Sequence, residues 1–340
     1  MGVDIGSLFK WEKIEYSDLQ NKAVAIDAHN ILYQFLSSIR QRDGTPLKDS
    51  KGRITSHLSG LLQRTGNMVE AKIKPIYVFD GEPHPLKAKT LEERRQRKEK
   101  AEKEWKQAIK DGDLKKAKTK AQQTSRLTDE MIKQSQNLLN ALGIPYIKAP
   151  GEGEAQATHM VKKGEVYAVG SQDFDCLLLG TPILIRNLTS QTKRKLPGKN
   201  AYTNIYPKQI RLKINLKTLE ITQEQLVDMA ILIGTDFNDG IKGIGPKKSL
   251  KLIKEEGSIE NALEKIKDQN KPSKKEIKEI RSIFLQPNIT DKYNIKWEKP
   301  DNDKVIKILC DEHHFSQKRI EQTLKKYQNV DNIVKQKTLF

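Results

Sequence analysis

Ala23-Val24-Ala25-Ile26-Asp27 is the stretch on which the fold turns: four aliphatic residues, then a carboxylate, then a helical pattern from Asn30 to Ile39. A short apolar run between helical stretches reads as a buried strand of a parallel sheet. The same cadence returns along the chain. Pro75-Ile76-Tyr77-Val78-Phe79 stops at Asp80, Ile144-Pro145-Tyr146-Ile147 leads into Gly151-Glu152-Gly153-Glu154, and Val166-Tyr167-Ala168-Val169 leads into Asp173-Phe174-Asp175. Ile231-Leu232-Ile233-Gly234-Thr235, running into Asp236, reads as a further strand of this kind. Parallel sheets bind ligands beyond the carboxyl ends of their strands. Asp27, Asp80, Glu152, Glu154, Asp173, Asp175 and Asp236 are therefore expected on one rim. Carboxylates gathered there repel one another and take up protons, a cost that a hard divalent cation removes. Oxygen-only ligation suits Mg²⁺ or Mn²⁺, and such a set can hold two ions about 4 Å apart. A single DxD or ExE would be weak evidence; recurrence after successive strands carries the argument.

The chain has 340 residues, enough for one large domain or two smaller ones. Its net charge of +18 points to a polyanionic partner, nucleic acid before an anionic membrane. Cys176 and Cys310 form no CxxC pair, which argues against structural zinc and a disulfide framework and fits a reducing compartment. No apolar stretch approaches the roughly 20 residues that span a bilayer. Met1-Gly2-Val3-Asp4 lacks the basic-then-apolar order of a signal peptide.

Residues 1 to 80 read as strand, helix, loop, helix, strand, the loop carrying the turn signals Asp43-Gly44-Thr45-Pro46 and Ser50-Lys51-Gly52 and the second helix running from Thr55 to Val69. Residues 84 to 126 hold 15 Lys or Arg against 7 Asp or Glu. Strong helix formers dominate, with too few apolar residues for a core-facing stripe, and Asp111-Gly112-Asp113 divides the segment into two arms. The bland reading is a solvated hairpin. The segment starts immediately after Asp80, so it is read as a basic arm that grips a backbone. Residues 128 to 190 return to α/β patterning, and Leu226 to Gly257 reads as helix, Gly-rich turn, helix. Lys265 to Lys278 is expected to be a mobile Lys-rich connection, Asn302 to Tyr327 helical, and Gln336 to Phe340 a flexible tail.

In Gly243-Ile244-Gly245-Pro246-Lys247-Lys248, glycines let the backbone approach a ligand and the next helix's first amides favour phosphate. Two-glycine turns are common; in this basic chain the turn is read as a sequence-independent grip on duplex DNA, mostly through phosphate. His29 lies near Asp27, but Mg²⁺ prefers oxygen, so a hydrogen-bonding or packing role is expected. Glu154, at a helix start, is read as a ligand rather than as a charge placed only for the helix dipole.

Taken together, these segments resemble the flap endonucleases of the structure-specific 5′-nuclease superfamily. The matching stretches are Ile26-Asp27 with Leu32-Tyr33-Gln34-Phe35-Leu36, Val78-Phe79-Asp80-Gly81-Glu82-Pro83, Gly151-Glu152-Gly153-Glu154-Ala155, Ser171-Gln172-Asp173-Phe174-Asp175, and Ile233-Gly234-Thr235-Asp236 through Gly243-Ile244-Gly245-Pro246-Lys247. They cover the chain to about residue 325 and look more like the archaeal than the eukaryotic members. The resemblance implies a PIN-like α/β fold, with a central mostly parallel sheet flanked by helices. It implies one nuclease domain over 1–330, a helical arch at 84–126 and a helix–two-turn–helix at about 222–257. It further implies that Lys87 and Arg94 contact the scissile phosphate and that Tyr33 stacks on a nucleobase. The seven carboxylates would hold two Mg²⁺, with Mn²⁺ able to substitute, and a K⁺ ion would sit at the turn with Gly243, Gly245, Lys247 and Lys248. Residues 31 to 56, with Thr55 and Ser56, would form a wedge and a 3′-flap pocket. Gln336, Leu339 and Phe340, in a tail over 331–340, resemble part of a sliding-clamp motif, Gln336 and Leu339 being correctly spaced and the aromatic pair expected further on missing.

The implied activity is 5′-flap endonuclease, with exonuclease as a side activity, in replication and repair. The implied protein is a monomer acting on flapped or nicked DNA with a sliding clamp, away from membranes, in an archaeal cytoplasm or a eukaryotic nucleus. Gly151 stands where the family usually has Ser, and no ligand is lost by it. The rivals are a sibling nuclease acting on bubbles or as an exonuclease, a phosphatase, and a non-enzymatic DNA-binding protein. A phosphatase places DxD after its first strand, whereas His29 follows Asp27 here; a simple DNA binder leaves the acidic cluster unexplained.

Overall fold

The computed structural model describes residues 2–190, 193–195, 202–267 and 271–329. The strands are β1 Glu12–Lys13, β2 Ala23–Asp27, β3 Lys74–Phe79, β4 Tyr146–Lys148, β5 Ala168–Gly170, β6 Ile183–Arg186, β7 Lys193–Lys195, β8 Tyr202–Asn204 and β9 Lys208–Arg211. Seven form one sheet in the order β1-β9-β6-β5-β2-β3-β4, and β7-β8 pair separately. The central pairs β6-β5, β5-β2, β2-β3 and β3-β4 are parallel, and β9 is antiparallel to both its neighbours.

Register explains the rim. Asp27 is level with Val78, Ile26 with Gly170, and Phe79 with Lys148. The carboxyl ends of β2, β3, β4 and β5 are thus flush, and whatever follows each strand emerges on the same side.

The helices are α1 Ala28–Ser38, α2 Ser56–Glu70, α3 Ala88–Lys110, α4 Leu114–Gln122, α5 Asp129–Ala141, α6 Gly153–Lys162 and α7 Asp175–Leu178. They continue with α8 Leu212–Leu219, α9 Gln223–Ile233, α10 Pro246–Glu256, α11 Ile259–Lys265, α12 Lys274–Leu285, α13 Asn302–Ile306 and α14 Gln317–Leu324. One cluster of buried apolar residues runs from Val3 to Tyr327. Among the described residues, no helix is long and apolar enough to cross a membrane.

Two expectations need correction. Ile231-Leu232-Ile233 is the last turn of α9, not a strand. Ile231 and Leu232 are fully buried and Ile233 partly, so the run lacks the polar face that marks a helix, but Thr222 and Gln225 form a capping box that starts one. The Lys-rich connection is shorter than read, because Ser273 and Glu276 cap α12 at Lys274; residues 268–270 lie outside the description. The region from 302 is helical as read, in pieces: α13 passes into a π-turn at Lys307–Glu312, and His314 adopts a left-handed φ of 55° before α14. The tail with Gln336, Leu339 and Phe340 also lies outside the described residues.

The two arms of residues 84 to 126 are α3 and α4, with the break at Asp111-Gly112-Asp113 as read. Their seam is alanine: Ala101, Ala108, Ala117 and Ala121 are buried. Small side chains let two highly charged helices pack without any apolar stripe toward the core.

Candidate active site

Each carboxylate of the rim is placed by local structure. Asp27 ends β2 and caps α1, its Oδ1 accepting from Asn30 N–H at 3.0 Å. Asp80 follows β3 and accepts from Gly153 N–H, the first amide of α6, at 2.7 Å. Glu152 precedes α6 and Glu154 lies in its first turn, while Asp175 opens α7 and accepts from Val3 N–H at 2.8 Å. Helix N-termini are where backbone dipoles partly offset negative charge. Asp236 comes from the turn after α9.

Ser171 ties the centre together. Its hydroxyl lies 3.0 Å from Asp27 Oδ2 and 2.8 Å from Glu154 Oε1, and it accepts from Asp173 N–H. One hydroxyl carries one proton, so both carboxyl contacts are satisfied only when one of those carboxyls is itself protonated. The electrostatics agree. Burial, helped by the charge of Asp80, lifts Asp27 to about 7 against the Asn30 and Ser171 hydrogen bonds. Burial and Asp173 lift Asp175 to about 8. Burial and the charges of Asp173, Asp27 and Asp175 push Glu154 well above the carboxylate range, and burial raises Asp173.

Two cations at and just before the start of α3 enter this cluster. Lys87 Nζ lies 2.6 Å from Glu152 Oε2 and 3.6 Å from Asp236 Oδ2; Arg94 pairs with Asp236. Burial works to lower the Lys87 pKa, and Glu152, Asp236 and Asp80 more than reverse it. Thr90 Oγ1 donates to Asp236 O at 2.8 Å. Among the described residues, no three Asp, Glu, His or Cys groups close into one coordination shell. The donor set still fits hard divalent cations: it is all oxygen, crowded, and partly neutralised by shared protons and by Lys87 and Arg94.

The other sequence-based candidates fall into place unevenly. Tyr33 lies on α1 beside α3, partly exposed, with Lys98 Nζ 4.7 Å over its ring. His29 accepts from Asp80 N–H at Nδ1 at 3.1 Å and packs edge-on against Phe79, the hydrogen-bonding and packing role read from sequence. Thr55 and Ser56 are buried, and the Ser56 hydroxyl is engaged inside the protein, donating to Ile39 O and accepting from Leu47 N–H. Lys247 and Lys248 stand in solvent in the first turn of α10. Gly243 has a left-handed φ of 79° that favours glycine, and a Cβ on it or on Gly245 would meet nothing within 4 Å. Sequence reasoning assigned no role to Ser171, Lys98 or Arg186. Lys98 carried a usable signal, one helical turn beyond Arg94 on the same face.

The comparisons with known proteins agree along the whole chain. The family described as XPG N-terminal domain matches residues 5–101, and the XPG I-region matches residues 143–236. The chain is 51% identical over 340 residues to Flap endonuclease 1 of Pyrococcus abyssi, covering 100% of this chain and 97% of that protein. The solved flap endonuclease-1 from Methanococcus jannaschii superposes with a TM-score of 0.76 at 43% identity, over 97% of this chain and 99% of that one. The catalytic core of Rad2 in complex with DNA substrate shares the fold, with a TM-score of 0.69 at 23% identity over 95% of this chain and 97% of that one.

Proposed function

The chain belongs to the flap endonuclease family, structure-specific and metal-dependent nucleases that hydrolyse phosphodiester bonds, and from that premise we propose how its own residues do so. The substrate is DNA carrying a 5′ flap at a single-strand/duplex junction, in replication and repair. Asp27, Asp80, Glu152, Glu154, Asp173, Asp175 and Asp236 hold two Mg²⁺, or Mn²⁺ in their place. When bound, the ions supply Lewis acidity and an activated water. Lys87 and Arg94 donate to the oxygens of the reacting phosphate, where charge develops. Tyr33 stacks on the adjacent base. The amides and lysines from Gly243 to Lys248 hold the duplex by phosphate alone, with K⁺ at that turn. Thr55 and Ser56, at the start of α2, take the 3′ side of the junction through backbone rather than through the engaged Ser56 hydroxyl. One nuclease unit over 1–330 carries all of this.

The observation that supports this reading most is the meeting of Lys87 and Arg94 with Glu152 and Asp236, two basic side chains of the arch directed into the acidic rim. Such an arrangement suits a phosphodiester, whose single negative charge is shared by two non-bridging oxygens that can face cations from two sides. The test is cleavage of a labelled 5′ flap with and without Mg²⁺, beside a bubble and a blunt duplex. Metal-dependent cutting at the flap junction is expected. Preferential bubble cutting would point to the sibling nucleases instead.

The tail belongs to the same proposal. Gln336, Leu339 and Phe340 dock on a PCNA-type sliding clamp, which raises the effective concentration of a monomeric nuclease at its junction without touching the chemistry.

A further inference from the structure

Arg186, the last residue of β6, has no part in the site described above, yet it meets the acidic loop from behind. Its Nη2 donates to Gln172 O at 2.9 Å, and its guanidinium carbon lies 4.0 Å from the centre of the Phe174 ring. Phe9 stacks on the same ring at 6.5 Å between centroids and 17° between planes. Gly6 closes a further side: a Cβ there would lie 2.4 Å from Phe174 Cζ. The Nε of Arg186 is buried with no hydrogen-bond partner, a cost that a free surface arginine would not carry.

We propose that Arg186 is a positioning residue for the acidic rim: by holding Gln172 O and the Phe174 ring it fixes the loop from Ser171 to Asp175. That loop carries Asp173 and Asp175, which flank the held ring, and the Ser171 hydroxyl shared by Asp27 and Glu154. Four of the seven carboxylates thereby depend on one loop conformation. A planar guanidinium can lie on a ring while one of its nitrogens donates in plane to a carbonyl, which a lysine ammonium cannot reproduce. The charge also comes from the sheet, unlike those of Lys87 and Arg94, which come from the arch and its base. The bland reading is a strand-end arginine that only packs, and it predicts lost stability with unchanged ligand affinity.

The inference rests on the metal role proposed for the rim, and the experiment separates the two. Mn²⁺ binding to the DNA-free protein is followed by electron paramagnetic resonance, beside thermal unfolding and the Mg²⁺ dependence of flap cleavage. Groups that orient metal ligands are worth about 10- to 100-fold in metal affinity, so Arg186→Ala should raise the half-saturating Mn²⁺ concentration about 10-fold or more. The Mg²⁺ requirement for cleavage should rise with it, and the rate at saturating metal should recover to within a few-fold. Arg186→Lys and Phe174→Leu, milder changes that carry the test if Arg186→Ala does not fold, should each give a smaller rise. Half-saturation equal to wild type in the folded variants overturns the inference. Wild-type protein that binds no Mn²⁺ through Asp173 removes the metal assignment and this inference with it.

Discussion

Asp27, Asp175 and Asp236 are 4%, 9% and 9% exposed, whereas Lys247 and Lys248 stand in solvent beside glycines with open space around them. Both regions are read as facing DNA phosphate. The rim is costly to build: charges are desolvated, crowded and propped by Ser171, helix N-termini and two basic side chains. The turn costs little, because its amides and ammonium groups remain hydrated until a backbone arrives. Reaction chemistry needs groups held at fixed positions in a shielded site, while a grip on any sequence needs only accessible donors and charge. Damage to the rim should therefore appear in rate, and damage to the turn in affinity and its salt dependence.

The largest effect belongs to the rim. Asp173→Ala or Asp80→Ala should lower flap cleavage by about 10³-fold or more, with duplex binding retained. Near wild-type cutting by either variant in Mg²⁺ would dissolve the contrast. Arg94→Ala should lower single-turnover cleavage by about 10² to 10³ and binding far less. Equal losses in both would move Arg94 from the reacting phosphate to the general grip.

Between rim and turn stands the scaffold of α9 to α12. Arg281 pairs with Asp228 through two nitrogens at 2.7 Å and with Glu260 at 2.6 Å, and Asp228 also accepts from Ile259 N–H. Arg281→Ala leaves the Asp228 carboxylate buried without its partner and should cost about 2 kcal/mol, modest because the guanidinium is partly solvated. Thermal unfolding measures it, and an unchanged midpoint would show that apolar packing alone holds the turn in place.

Smaller still, Lys247→Ala should weaken binding to every duplex alike and reduce the slope of log K against log salt by about 1. An unchanged slope would remove Lys247 from the phosphate contacts. Deleting residues 336 to 340 should leave clamp-free cleavage untouched and abolish stimulation by a matching clamp. Equal clamp affinity of the full and shortened proteins, measured by calorimetry, would end that assignment.

Four of the five parallel strands, those leading into Asp27, Asp80, Glu152 and Asp173, were legible because polarity changes within a few residues and the pattern repeats. The two charged helical arms α3 and α4 were legible from composition and from Asp111-Gly112-Asp113. Ile231–Ile233 misled because an apolar run with no polar face looks alike in a strand and a helix, and the Thr222 capping box was the better guide. The edge strand Glu12–Lys13 and its neighbour Lys208–Arg211 are too short and too polar to announce themselves.

By itself, the order of residues determined which chemistry stands at each strand end, since strand, helix and charge are local properties. Which groups meet was decided only by the tertiary structure. Ser171 reaches Asp27 across 144 residues, Lys87 reaches Glu152 across 65, and Arg94 reaches Asp236 across 142. Those meetings follow from sheet order and register, which place β2 between β3 and β5 with their ends level. Sheet order arises from pairing between distant strands, and the burial that lifts Asp27 and Asp175 above the carboxylate range exists only once that pairing has closed around them.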